Sequence, residues 1–159
     1  MPKTKSLDGL KLDDFLCFAV YAAGHAFNRV YKPLLDALGL TYPQYLVMTA
    51  LWGEDDQTVG ALGRQLSLEY STLTPLLKRL ERLGMISRRR DPEDERQVRV
   101  RLTAEGKALQ QRASSLPSCI QEASGLSETD LNRLKEDIVR LRESLDRYAA
   151  SHAGPTDRR

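Results

Sequence analysis

The chain has 159 residues, with 24 Lys+Arg against 22 Asp+Glu for a net charge of +2 and an apolar fraction of 41%; this is one domain's worth of protein, long enough to bury a core without a disulfide framework. Two cysteines 102 residues apart and two histidines fit neither a cysteine-dense secreted scaffold nor a zinc site, so no metal and no other cofactor is expected. The first 14 residues hold three lysines and no apolar run, and no 18 consecutive apolar residues occur, which points to a cytoplasmic protein with reduced thiols and no membrane partner.

Over residues 13–38, Phe15, Leu16, Ala19, Ala22, Ala23, Ala26, Phe27, Val30, Leu34 and Leu38 recur by threes and fours, predicting a long buried helix that Gly39 ends or bends. Thr41 with Gln44 reads as a capping box opening a second helix through Trp52, and Pro43 falls in its first turn, where a missing N–H costs little. Thr58 caps a short third helix carrying Val59, Leu62 and Leu66. After a turn at 67–69, a fourth helix over 71–83 carries Leu73, Leu76, Leu77, Leu80 and Leu83, and Gly84 closes it.

The period then changes. Residues 86–90 and 98–102 flank a polar turn, and the second run alternates strictly as Val98, Arg99, Val100, Arg101, Leu102, the signature of a hairpin. The only positive excess in the chain lies here, ten basic against six acidic groups over 78–107. A short helix, a turn, a second helix and a basic-tipped hairpin in that order make a winged helix-turn-helix over 41–102, with the helix over 71–83 as the DNA reader. Its leucines take one face and leave Ser71, Thr72, Thr74, Pro75, Lys78, Arg79 and Arg82 on or beside the other, where hydroxyls and cations suit base edges and phosphates. Taken alone, that helix reads equally well as an amphipathic helix with a solvated polar face.

The C-terminal third returns to helix. Thr103 caps a run toward Ser124 that Pro117 kinks or interrupts, and Ser127 with Asp130 opens a last helix. In it Leu131, Leu134, Ile138, Leu141, Leu145 and Tyr148 form a heptad-like seam, which calls for a partner helix and favours a homodimer. Residues 151–159 read as a frayed tail. The fold class is therefore mainly α (α+β), a single domain over 1–159 whose winged helix-turn-helix is flanked by helices at 12–38 and 103–150 that form a dimerisation region.

This order resembles the MarR family of repressors. The resemblance is carried by Leu73-Thr74-Pro75-Leu76-Leu77-Lys78-Arg79-Leu80-Glu81, by Gly84-Met85-Ile86, and by the wing run Asp91-Pro92-Glu93-Asp94-Glu95-Arg96. Within the family, the N-terminal half is similar to the organic-hydroperoxide-sensing, OhrR-like branch, through residues 15–21, 31–35 and 40–45. The resemblance implies a homodimer that holds double-stranded operator DNA when reduced and releases it when an organic hydroperoxide, the inducer, oxidises Cys17. It also implies that Tyr31 and Tyr42 of one subunit donate hydrogen bonds to the Cys17 thiolate of the other. In two-cysteine members a late cysteine, here Cys119, closes an intersubunit disulfide. Arg96 matches the wing arginine that enters the minor groove, and Asp94 matches the acidic residue that orients it.

The residues themselves leave other readings open. A lone cysteine among Phe15, Leu16 and Phe18 is often an inert small hydrophobe, Tyr31 and Tyr42 can be plain core or rim residues, and Cys119 can be a surface thiol without a role. A repressor released by a small aromatic ligand would still respond as a Cys17→Ser variant. A thiol peroxidase would turn over many peroxides per subunit, but it leaves the reading helix and basic wing unexplained, so no enzyme activity is expected.

Overall fold

The computed structural model describes residues 9–153. They form α1 (Leu16–Asp36), α2 (Tyr42–Gly53), β1 (Gln57–Thr58), α3 (Val59–Leu66), α4 (Tyr70–Arg82), β2 (Ile86–Arg90), β3 (Val98–Leu102), α5 (Ala104–Ala113), α6 (Leu116–Ser124) and α7 (Glu128–His152), after a single 3-10 turn at Leu12–Asp14. One compact unit ends at Leu116 and a second begins at Pro117.

The first unit holds the core, because its helices present apolar faces that the small sheet closes over. Val47, Met48 and Leu51 of α2, Leu62 of α3, Leu73, Leu77 and Leu80 of α4, Ile86 of β2 and Val100 of β3 are all essentially removed from solvent. Local chemistry sets most boundaries. Thr41 and Gln44 make the reciprocal capping box of α2, and Thr58 and Thr103 cap α3 and α5 through their hydroxyls. Gly84 leaves α4 at φ +76°, the left-handed turn that glycine adopts without strain. The three-stranded antiparallel sheet runs β1-β3-β2, with Arg89 opposite Arg99 and Ser87 opposite Arg101.

Two expectations are corrected, on α1 and on the end of the last helix, and a third is met in one of its two forms. The helix expected to be buried over 13–38 spans Leu16–Asp36, and Leu35 is its only buried residue; Leu16 is 62% exposed and Phe27 47%. Its C-terminal turns pack on α2, and the apolar face before them has no cover within the first unit. Of the two outcomes expected at Pro117 the structure has the interruption, with α5 ending at Ala113 and α6 starting at Leu116, so that the proline lies in the first turn of α6. The last helix reaches His152, past the expected start of the tail at 151; residues 154–159 of that expectation lie outside the described residues. Within the second unit, Ser127 caps α7 as expected, and α7 has no buried residue, leaving Leu134, Ile138, Leu145 and Tyr148 of the seam exposed.

Candidate functional site

Two groups of residues carry chemistry, a thiol with two phenols on the N-terminal helices and a cationic surface on α4 and the wing. Cys17 is the second residue of α1 and exposed, and Cys119 sits half-buried on α6; both are free thiols. Phe15 and Leu16 are exposed beside Cys17, and Phe18 is half-buried.

Tyr31, near the other end of α1, meets Tyr42 of α2 with ring centroids 4.8 Å apart, and Tyr45 lies behind them at 5.9 Å. Burial pushes the Tyr31 phenol up to about 12, helped by Tyr42 and Tyr45, and burial raises Tyr42 as well. Both phenols therefore keep their protons at neutral pH and stay hydrogen-bond donors. A cavity of about 240 Å³ opens beside them, lined by Asn28, Tyr31, Lys32, Leu35, Leu40 and Tyr42 among others.

At the other end of the unit, α4 buries Leu73, Leu76, Leu77 and Leu80 and leaves Ser71, Thr72, Pro75, Lys78 and Arg79 exposed. Thr74 is half-buried, and its hydroxyl donates back to the Tyr70 carbonyl of the same helix at 2.9 Å. Pro75 removes the donor that would reach the Ser71 carbonyl. Tyr70, 63% exposed at the start of α4, was not singled out in the sequence; no motif marks it, and its exposure follows only from where the helix begins.

The wing tip is a closed turn. Asp94 accepts the Arg96 backbone N–H at 3.1 Å and the Gln97 side-chain amide at 3.1 Å, while the Gln97 N–H donates to the Asp94 carbonyl. Asp94 thus contacts Arg96 through its backbone N–H, and Arg96 is exposed. Deeper in the hairpin the positive block divides. Arg88 is held by Glu81, Arg99 by Asp56 at 2.7 Å and Asp91 at 3.0 Å, Arg101 by Asp56 at 2.8 Å, and Lys107 lies 3.7 Å from Asp55. Hydrogen bonds from Arg101 and Arg99 lower the Asp56 carboxyl to about 2. Within the block over 78–107, Lys78, Arg79, Arg82, Arg89, Arg90 and Arg96 have no ion-pair partner among the described residues, and they are its cations free to meet an external anion.

Asp55 and Asp56 tie the wing to the turn after α2, a contact that the sequence did not reveal. Asp55 accepts the Leu102 backbone N–H at 2.8 Å, and Asp56 sits at φ +58°, so the wing is mounted on the turn after α2. An Asp-Asp step following Gly53 was the available signal, but its partners lie more than 40 residues away in the chain.

A helix with a polar reading face, followed by a basic hairpin and framed by helices before and after, defines a winged-helix transcriptional regulator. The family described as transcriptional regulator SarA/Rot matches residues 29–112. The organic hydroperoxide resistance transcriptional regulator of Bacillus subtilis is 45% identical over 138 residues, covering 87% of this chain and 94% of that protein. The regulator TtmR of Methylorubrum extorquens is 44% identical over 151 residues, covering 95% and 77%. Among solved structures, reduced AbfR bound to DNA has a TM-score of 0.76 at 34% identity, covering 91% of this chain and 99% of that one; overoxidised AbfR bound to DNA and a disulfide form give 0.66 and 0.60. The chain belongs to the MarR family of winged-helix transcriptional regulators, on the branch of the organic hydroperoxide resistance regulators.

Proposed function

We propose that this protein is a cytoplasmic repressor that holds double-stranded operator DNA as a reduced homodimer and releases it when an organic hydroperoxide oxidises Cys17. The observation that carries this reading is the separation of the thiol from the phenols. Cys17 and Tyr31 are fourteen residues apart on one helix, about 21 Å at 1.5 Å per residue, so neither phenol reaches the thiol of its own chain. A second copy with α1 antiparallel brings Tyr31 and Tyr42 to the opposite Cys17, and it covers the exposed apolar face of α1. The unburied seam of α7 supports the same assembly.

In this mechanism the Cys17 thiolate, favoured by phenolic O–H donors, attacks the outer peroxide oxygen. The O–O bond breaks, the alkoxide leaves and is protonated to the alcohol, and the sulfur becomes sulfenic acid. The Cys119 thiolate of the other copy then attacks that sulfur; an S–S bond forms and the hydroxyl leaves as water. On this reading the protein acts as a sensor and not as an enzyme, and many peroxides consumed per subunit in a reductant-coupled assay would overturn that assignment. Pinning the two subunits changes the spacing of their α4 helices, on which binding to two half-sites depends. Arg96 reads the minor groove, and Ser71, Thr72, Thr74, Pro75, Lys78 and Arg79 face the major groove.

The test is fluorescence anisotropy on a fragment of the protein's own promoter, before and after about one equivalent of cumene hydroperoxide and then after dithiothreitol. Binding should be lost and then restored. Cys17→Ser should bind and ignore peroxide, and Cys119→Ser should form no intersubunit disulfide on a non-reducing gel while its Cys17 sulfenic acid stays reducible by dithiothreitol. The cavity beside Tyr31 and Tyr42 favours a second reading, release by a small aromatic ligand, and a Cys17→Ser variant that still responds to inducer would establish it instead.

A further inference from the structure

Nothing in its own chain calls for glycine at position 24. Gly24 lies in the interior of α1 and is the only glycine of that helix, although glycine within a helix is destabilising relative to alanine. Its φ is not positive, and a Cβ added there would meet nothing within 4 Å. Neither backbone conformation nor packing within the chain accounts for it.

The residues seven before and seven after Gly24 are Cys17 and Tyr31. At about 100° per residue, both fall within roughly 20° of Gly24 around the helix. The three therefore share one stripe, with Tyr21 and Asn28 between them at steps of four and three. On or beside this stripe Val20, Tyr21 and Phe27 are 44%, 64% and 47% exposed. A two-fold axis relating two antiparallel helices pairs residues at equal distances either side of one midpoint. On the dimer reading above, on which this inference rests, Cys17 of one copy meets Tyr31 of the other, and the midpoint is residue 24, where each helix faces itself. The same pairing sets Tyr21 against Phe27 of the second copy and so covers two exposed rings.

Steps of four and three suit helices that cross at about 20°, with axes about 8–10 Å apart according to the side chains at the contact. Glycine at the crossing allows the short end of that range. Cys17 and Tyr31 lie about 10.5 Å along each helix from it, so a bulky side chain at the crossing would move thiol and phenol apart by as much as it separates the axes. We propose that Gly24 is the crossing point of the two α1 helices on the dimer axis, and that it is a positioning residue whose missing side chain lets Tyr31 of one copy reach Cys17 of the other.

Self-crosslinking locates the axis. In full-length protein carrying Cys17→Ser and Cys119→Ser, which leaves no native cysteine, Val20→Cys, Gly24→Cys and Asn28→Cys are each oxidised with diamide and run on a non-reducing gel. Only Gly24→Cys should give a disulfide dimer in high yield. Residues four positions from the axis stand about 12 Å along the helix from their own copies, beyond the Cα separation of about 4.4–6.8 Å that a disulfide spans. In protein with its native cysteines, stopped-flow thiol consumption by cumene hydroperoxide reads the positioning role. Gly24→Leu should slow oxidation of Cys17 by roughly 10-fold, the worth of the lost phenol hydrogen bond, and Gly24→Ala should slow it less. In a Tyr31→Phe background Gly24→Leu should add nothing, a coupling that a general loosening of the fold would not produce. Crosslinking strongest at position 20 or 28, or equal at all three, overturns the crossing point. An unchanged rate in Gly24→Leu, or losses that add in the double variant, overturns the positioning role. A wild type that sediments as a monomer refutes the dimer reading and this inference with it. Linking at position 24 in a protein whose DNA binding ignores peroxide refutes the redox reading and leaves the crossing point standing.

Discussion

Gly106 sits where helix propensity and tertiary packing make opposite predictions. It is the third residue of α5, and replacing it by alanine in an isolated helix would stabilise by about 1 kcal/mol. In the fold, an added Cβ would lie 2.0 Å from the Met85 carbonyl oxygen and 3.0 Å from its carbon, so the α4–β2 turn and α5 must separate by on the order of 1 Å to restore ordinary carbon–oxygen contact. That separation strains three bonds: Thr103 N–H to the Met85 carbonyl at 3.1 Å, the Thr103 hydroxyl to the Gly84 carbonyl, and Trp52 Nε1–H to the Gly106 carbonyl at 2.9 Å. At about 1 kcal/mol for each bond, with some loosening of buried Leu109 and the propensity gain set against it, Gly106→Ala should destabilise by roughly 2–3 kcal/mol. For a protein of this size that is a fall in Tm of about 5–10 °C. Circular dichroism at 222 nm, at fixed protein concentration because assembly shifts apparent stability, reads it directly. A Tm that is unchanged or raised would refute the close approach of α5 to the turn.

Other expectations follow from the same contacts. Asp56 is held down to about 2 by Arg101 and Arg99, so its ion pairs contribute fully above its ordinary value of 3.8 and are lost as pH falls through about 2; a carboxyl titration by NMR with its midpoint at or above 3.8 would contradict the mounting of the wing. Raising the Tyr31 phenol to about 12 has the opposite sign: its contribution is complete below its ordinary value of 10 and is lost as pH rises through about 12. Tyr31→Phe should slow oxidation of Cys17 by roughly 10-fold or more, the worth of one hydrogen bond to a charged group, measured by stopped-flow thiol consumption; an unchanged rate would separate the phenol from the thiol. Ser67 ends α3 in the left-handed region at φ +54°, so Ser67→Gly should stabilise by roughly 0.5–1 kcal/mol in urea unfolding.

The features legible in the sequence were those set by neighbouring residues. The caps at Thr41, Thr58, Thr103 and Ser127, the leucine face of α4 and the strict alternation of 98–102 are short-range patterns with direct physical readings, and they located nearly every element of the winged helix. The reading was weaker wherever burial depends on what lies outside the segment. Periodicity shows that α1 has an apolar face, but the same ten residues would be written for a helix buried in its own chain and for one that waits for a second copy.

What the sequence by itself determined is the order of elements, the residues of the reading helix, and the presence of a thiol, two phenols and a basic block. Only the tertiary structure decided how these combine. It set Tyr31 against Tyr42 and raised both phenols, while leaving Cys17 exposed about 21 Å along the helix. It also sorted ten basic groups into those bound by Glu81, Asp55, Asp56 and Asp91 and those left free. The physical reason is range: helix caps and strand alternation act within a few residues, whereas charge pairing and burial are settled by contacts such as Asp56 with Arg99, which chain folding brings to 2.7 Å across 43 positions.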